Sequence, residues 1–242
     1  MLFRKKVQQS QSDTYGNQKL WYSEIYQSLS CGSESGILAR IAHSAIENNG
    51  FRNSSEKSER ILEVGGGDGI HLRFVKSDFN EYVLTDYADD QLRLASINLD
   101  SDPRNIRFQN ENAQSLSFSD NFFDRLVATC VLLHLDDPEG AISEWRRVVK
   151  NGGHLSIYYP HEPELLTRLA RRMLIGRKAS KLGFHGFDLL MAREHKNSAW
   201  RIEQFLNFVF INDMVKIKRW PFIKGPLFMN SFTVFHVKIL KT

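Results

Sequence analysis

The sequence predicts an α/β domain built on a doubly wound, mostly parallel sheet of seven strands. Three observations predict it. An apolar run ends in a glycine-rich turn, Ile61-Leu62-Glu63-Val64-Gly65-Gly66-Gly67-Asp68-Gly69. From 61 to 160, short apolar runs alternate with amphipathic ones, the pattern of a parallel sheet covered by helices on both faces. An acidic residue, Asp86, closes the second apolar run about twenty positions after the turn, where a carboxylate can accept both hydroxyls of a ribose.

Composition sets the outer limits. The 242 residues are 42% hydrophobic and 25% charged, with a formal net charge of +4. That length accommodates one domain with a sizeable core, or one domain and a lid. The positive excess is too small to imply nucleic acid by itself. The two cysteines, Cys31 and Cys130, have no metal-like spacing and suit a reducing compartment. Met1-Leu2-Phe3-Arg4-Lys5-Lys6 is followed by polar residues instead of the apolar core of a signal peptide. The expectation is a cytoplasmic protein with no metal.

The elements follow in order. Residues 1–14 are polar and read as a mobile terminus, and 15–242 as a single domain. Leu20, Trp21, Ile25, Tyr26 and Leu29 have helical spacing, as do Ile37, Leu38, Ile41, Ala42, Ala45 and Ile46. These two helices, within 15–50, form an N-terminal cap. Residues 50–60 are polar and read as a solvated connection. A strand over 61–64 leads through the glycines into a helix carrying Leu72, Phe74 and Val75. Its free N–H groups and positive dipole end would face a ligand in the turn. A second strand covers 82–85, a helix 88–99, a third strand 106–108 and a fourth 123–130. Pro138 starts a helix over 138–150, which Asn151-Gly152-Gly153 would end. A fifth strand over 154–159 completes a binding core of 60–160. Residues 161–196 form a lid insertion. The remainder, 197–242, gives a helix over 198–210 and a hairpin of strands at 215–220 and 231–240.

Four motifs, each at a strand end, carry a resemblance. Glu63-Val64-Gly65-Gly66-Gly67-Asp68-Gly69 is similar to E/D-x-G-x-G-x-G. It fits the dinucleotide fingerprint G-x-G-x-x-G poorly, because Ile70 holds the sixth place. Asp86 stands at the ribose position. Asn112-Ala113-Gln114-Ser115-Leu116-Ser117-Phe118 resembles D-A-x-x-L-P-F, with Asn112 in place of the usual Asp. Val131-Leu132-Leu133-His134-Leu135 and Glu144-Trp145-Arg146-Arg147-Val148-Val149-Lys150-Asn151-Gly152-Gly153 resemble L-h-H-h and E-x-x-R-V-L-K-P-G-G. Together they resemble the class I S-adenosylmethionine (SAM)-dependent methyltransferases, closest in style to those of ubiquinone and menaquinone biosynthesis.

The resemblance implies a Rossmann-like sheet whose last strand runs antiparallel. It implies SAM as cosubstrate and S-adenosylhomocysteine as product. Glu63, Gly65, Gly66, Gly67, Asp86, Tyr87, Asn112, Ala113 and Cys130 would bind it, with Tyr87 against the adenine. Methyl transfer would go to an O or N atom of a small metabolite, with anionic ones among the candidates. His134 is the candidate general base, or a hydrogen-bonded histidine that shapes its loop. Tyr15, Tyr22, His161, Arg172 and His185 are candidate acceptor contacts, with Trp21 beside them; amphipathic core is the alternative for the N-terminal aromatics.

Arg168, Arg171, Arg172, Arg177, Lys178 and Lys181 interleave with Leu165, Leu166, Leu169, Met173 and Leu174. Such a basic amphipathic helix covers the pocket, attracts an anionic acceptor, lies on an anionic membrane, or is simply a solvated face. No nucleic-acid partner is expected, and oligomeric state stays open. A macromolecular acceptor and a catalytically silent SAM-binding protein remain as alternative functions.

Overall fold

A computed structural model describes residues 37–48, 51, 58–161 and 193–241. The described strands are β1 (Ser58–Val64), β2 (Phe79–Asp86), β3 (Ile106–Asn110), β4 (Phe123–Thr129), β5 (Val149–Pro160), β6 (Met214–Trp220) and β7 (Phe232–Lys238). They form one sheet in the order β3-β2-β1-β4-β5-β7-β6. β1 to β5 run parallel, whereas β7 is antiparallel to both β5 and β6. The expected seven-stranded α/β sheet with an antiparallel last strand is therefore present. Among the described residues, no helix is long and apolar enough to cross a membrane.

The described helices are α1 (Ile37–Glu47), α2 (Asp89–Asn98), α3 (Pro138–Val148) and α4 (Ala199–Val209). Caps explain two starts. Asp137 accepts from Gly140 N ahead of Pro138, and Ser198 accepts from Arg201 N. α3 and α4 cover one face of the sheet: Ala141, Ile142, Trp145, Ile202 and Leu206 are fully buried against Leu62, Leu126, Leu155 and Phe235. Each such side chain contributes about 1.5–3 kcal/mol.

Several elements depart from expectation. β1 starts at Ser58, inside the stretch read as solvated, because Ser58 and Arg60 pair with Phe79 and Glu81 of β2. The element after the glycine turn is a single 3-10 turn, Ile70–Phe74. It is too short to supply the helix dipole the sequence suggested. Asn151-Gly152-Gly153 does not end α3. The chain passes directly from Val148 into β5, and these residues form an irregularity between the pairs Phe123–Val149 and Arg125–His154. There, Gly152 N donates to Ile239 O and Ile239 N donates to Gly153 O.

The opposite face is unusually polar. Arg125 on β4, almost fully buried, donates twice to the Glu47 carboxylate at the end of α1. His71 Nε2 donates to the same carboxylate, and His71 Nδ1 meets His43 Nδ1 at 2.9 Å. The Arg125 guanidinium and the His71 hydrogen bond hold the Glu47 carboxyl down at about 2, against the opposing effect of burial. Burial draws His43 and His236 each down to about 3.

Two predictions follow from this face. Arg125→Met alone should lower stability by about 3–5 kcal/mol, because it strands a buried carboxylate. The double variant Glu47→Leu/Arg125→Met should lose less, as measured by urea unfolding. For pH, the histidines at 43, 134 and 236 have folded pKa values of about 3, 4 and 3, below the ordinary 6.5. The unfolded chain thus takes up three protons that the native protein refuses. Glu63, raised to about 7, offsets one of them. Stability should fall as pH drops from 6.5 toward 4.5, by roughly 2 kcal/mol per pH unit. Unfolding midpoints across that range check it.

Candidate functional site

Parallel pairing brings the carboxyl ends of β1, β2 and β4 side by side, with Val64 opposite Thr85 and Ala128. Asp86 is opposite Asn110 of β3. The residues after these ends therefore share one edge of the sheet, as a doubly wound topology requires.

The glycine turn is locked onto β2. Gly66 N donates to Thr85 O at 2.9 Å, and Gly67 N donates to Asp86 Oδ2 at 3.0 Å. Thr85 Oγ1 donates to Glu63 O. Most of the missing side chains make room for protein. A Cβ on Gly65 would lie 2.5 Å from Val131 Cγ2, and one on Gly66 would lie 2.6 Å from Leu84 Cγ. At Gly67, with φ +53°, a Cβ would meet nothing within 4 Å. Room for a ligand beside this turn thus narrows to Gly67.

Asp86 flanks that opening, and a second carboxyl group, Glu63, is buried beneath Gly66. Asp86 accepts from Gly67 N and, through Oδ1, from Ala88 N at 3.0 Å. A carboxylate has about four acceptor positions, so capacity remains for sugar hydroxyls. Burial raises its pKa despite these amides. Glu63 is fully buried; its Oε2 accepts from Tyr82 OH at 2.9 Å, while Oε1 has no partner. Burial pushes Glu63 up to about 7. Tyr87, next to Asp86, is 77% exposed, an open aromatic face at the rim.

The loop after β3 is held from below. Asn112 is exposed, and its Oδ1 accepts from Gln114 N at 2.9 Å. Ala113 O accepts from the buried Trp145 Nε1. Glu144 accepts from Leu116 N, and Arg147 donates to Leu116 O, Phe118 O, Asp120 and Glu144. The Glu144/Arg147 motif is thus a clamp on this loop. Asp124 accepts from Arg60 N and Lys150 Nζ.

The loop after β4 turns at Cys130, whose φ of +60° is rare outside glycine. Cys130 N donates to Tyr158 O. Val131 then packs over Gly65, and His134 N donates to Val131 O. His134 Nδ1 donates to Glu194 O at 3.0 Å, which leaves Nε2 as its basic nitrogen. Burial and the neighbouring His195 draw its pKa down to about 4. It is a weak base, and its fixed hydrogen bond suits a positioning part better.

His161 is corrected as an acceptor contact. It is fully buried; Nδ1 reaches Leu227 O at 2.8 Å and Asn230 O at 3.0 Å, and Nε2 accepts from Thr233 Oγ1 at 2.6 Å. Both ring nitrogens are spent on the chain itself. Tyr15, Trp21, Tyr22, Arg172 and His185 lie outside the described residues. Sequence reasoning missed Tyr82, Val131 and Asn197. Asn197 Nδ2 donates to Leu132 O and Leu135 O, so it holds the His134 loop from 65 residues away. No local signal marks it.

A strand-end cradle of this kind, on a sheet closed by an antiparallel β7, defines the class I methyltransferase architecture. Comparison with known proteins gives the same class. Residues 62–157 match the methyltransferase domain family. An uncharacterised methyltransferase of Schizosaccharomyces pombe is 33% identical over 170 residues, covering 61% of this chain and 56% of its own length. The ubiquinone/menaquinone biosynthesis C-methyltransferase UbiE of Yersinia pestis is 29% identical over 114 residues, covering 45% of each chain. The chain thus spans about half the length of these curated relatives. Among solved structures, a chain from the Haloferax volcanii complex between the Trm112 methyltransferase activator and a methyltransferase aligns with TM-score 0.63 and 13% identity, over 92% of this chain and 97% of that one. The N-methyltransferase NodS of Bradyrhizobium japonicum, in complex with S-adenosylhomocysteine, aligns with TM-score 0.60 and 14% identity, over 86% and 90%. Residues 62–157 thus match a methyltransferase domain, on a sheet with the class I methyltransferase fold.

The residues fit that cosubstrate on observations of their own: the open room at Gly67, the unspent acceptor capacity of Asp86 and the unpartnered Glu63 Oε1. Gly67→Ala should leave the fold largely intact, costing about 1 kcal/mol for the left-handed backbone, yet weaken SAM binding at least tenfold. Gly66→Ala should destabilise the turn itself. Calorimetry and urea unfolding of both variants separate the two effects.

Proposed function

We propose that this chain transfers the methyl group of SAM to a nucleophilic O or N atom of a small metabolite. The observation that carries the reading is the opening at Gly67 beside the Asp86 carboxylate. When bound, SAM supplies an activated methyl on a sulfonium centre. Asp86 would hold its ribose, the Gly67 backbone and Glu63 Oε1 its amino-acid portion, and Tyr87 its adenine face. What the protein contributes is mainly alignment, a large part of the barrier reduction in a displacement between two bound partners.

His134 enters as a positioning residue. A nitrogen with a pKa of about 4 removes little proton density from an alcohol near neutrality. An acceptor already nucleophilic at that pH, such as a neutral amine or an ionised hydroxyl, fits such a site. The basic residues from Arg168 to Lys181 favour an anionic acceptor on sequence grounds. A carbon acceptor is the second reading, favoured by the identity to the C-methyltransferase UbiE.

Calorimetry should give binding of SAM and S-adenosylhomocysteine but not NADH, with Asp86→Ala weakening both at least tenfold. Absence of SAM binding would overturn the reading. Once a screen of amine, hydroxyl and activated-carbon acceptors finds turnover, His134→Ala should lower kcat less than tenfold and leave the pH profile unchanged. A loss of about a hundredfold or more, with a vanished acid limb, would make His134 the base instead.

A further inference from the structure

In the proposed binding mode the cosubstrate lies along the carboxyl edge of the sheet, strand by strand. Its amino-acid portion is at Gly67, after β1, and its ribose at Asp86, after β2. The next strand outward is β3. The ends of β2 and β3 are tied together: Asp86 pairs with Asn110, and Glu111 N donates to Asp86 O at 3.1 Å. The base therefore reaches the residues that follow β3, with the exposed ring of Tyr87 at the same corner.

Asn112 stands exposed there. Its amide has one orientation. Gln114 N–H is a donor, so the atom 2.9 Å from it is the amide oxygen, Oδ1. Gln114 is itself held, because its Oε1 accepts from Asp137 N at 2.6 Å. Beside it, Ala113 O accepts from Trp145 Nε1 at 2.9 Å, and Ser115 N donates to Asn112 O at 2.9 Å. The oxygen end of the Asn112 amide is thus committed to the chain. The end left for a ligand is Nδ2, a donor.

Neighbouring acceptors are engaged as well. The Glu111 carboxylate accepts from Ser117 N at 2.9 Å, from Ser117 Oγ and from Gln109 Nε2. Tyr87 O and Asp89 Oδ1 both accept from Asn110 Nδ2. A base entering this corner meets a free donor first. The 6-amino group of adenine is also a donor and gains nothing from Nδ2. The ring nitrogens of the purine are acceptors and match it. The aspartate of the resembled motif would do the reverse, because a carboxylate accepts without donating.

We propose that Asn112 reads the base of the cosubstrate as a donor, from Nδ2 to a ring nitrogen of the purine, and so makes binding independent of the 6-amino group. This role rests on the methyl-transfer reading, since it concerns the same cosubstrate.

The test is calorimetry of the full chain with two ligands: S-adenosylhomocysteine, and its analogue with unsubstituted purine in place of adenine. The wild type should bind the two within about threefold of each other. Asn112→Asp keeps one oxygen for Gln114 N and offers the other to the ligand. It should prefer the 6-amino ligand by about tenfold or more. Asn112→Ala should weaken both ligands by the same factor, about threefold to tenfold. Urea unfolding checks that both variants are folded. A wild-type preference for the 6-amino ligand beyond about threefold, no such preference in Asn112→Asp, or unchanged affinities in Asn112→Ala would each overturn this role alone. Failure of S-adenosylhomocysteine to bind the wild type would instead overturn the methyl-transfer reading, and the role of Asn112 with it.

Discussion

A single hydrogen bond, from the Gly67 amide to the Asp86 carboxylate, fixes the geometry of the functional edge. It links the turn after β1 to the end of β2 and sets the distance between the two places where a nucleoside would be gripped. The bond forms only because Gly66 lies flat against Leu84 and Gly65 lies flat against Val131. Any side chain at those positions would lift the turn off β2. The glycines thus serve protein packing first, and the ligand opening at Gly67 follows from it. The same carboxylate accepts from Ala88 N and so starts the turn into α2. Rigidity at the site comes from backbone amides, which hold their direction without any choice of rotamer.

Below the turn, the sheet stores charge. Glu63, Arg125, Ser156 and His236 are buried on the strands facing α1, and Glu47 reaches down from that helix. A face so polar contributes little net stability compared with an apolar one of equal volume, because desolvation offsets the attraction between charges. What it gains is a defined position for α1: Glu47 must meet both Arg125 and His71, and few helix placements satisfy both. The 3-10 turn carrying His71 is the direct continuation of the glycine turn. The ion cluster and the cradle are therefore two ends of one piece of chain. Glu63 sits between them with one oxygen bound to Tyr82.

The sheet was largely readable from sequence, because its strands are short apolar runs separated by turn residues. The boundaries were not. Ser58, Glu59 and Arg60 look like loop, yet they lie in β1 because their backbone has β2 to pair with. Asn151-Gly152-Gly153 looks like a helix stop and is a strand irregularity, since a positive φ serves either purpose. At the site, Asp86 and the glycines were legible by spacing. What each glycine makes room for was not, because a missing Cβ does not say whether a leucine or a ligand fills its space. Contacts such as Asn197 to Leu132 join residues 65 apart and leave no local trace.

His134 and His161 make the same point in chemical terms. Each follows a strand at the functional edge, and each looked available for catalysis or acceptor contact. In each, Nδ1 is committed to a backbone carbonyl, Glu194 O for one and Leu227 O with Asn230 O for the other. A histidine bound in this way is a strut with a fixed tautomer. It holds two loops at a set separation. Both struts stand where the chain leaves the sheet: His134 braces the loop beside the glycine turn, and His161 braces the loop beyond β6. The edge is thereby held rigid at both ends, and the freedom to choose an acceptor passes to the surfaces those loops present.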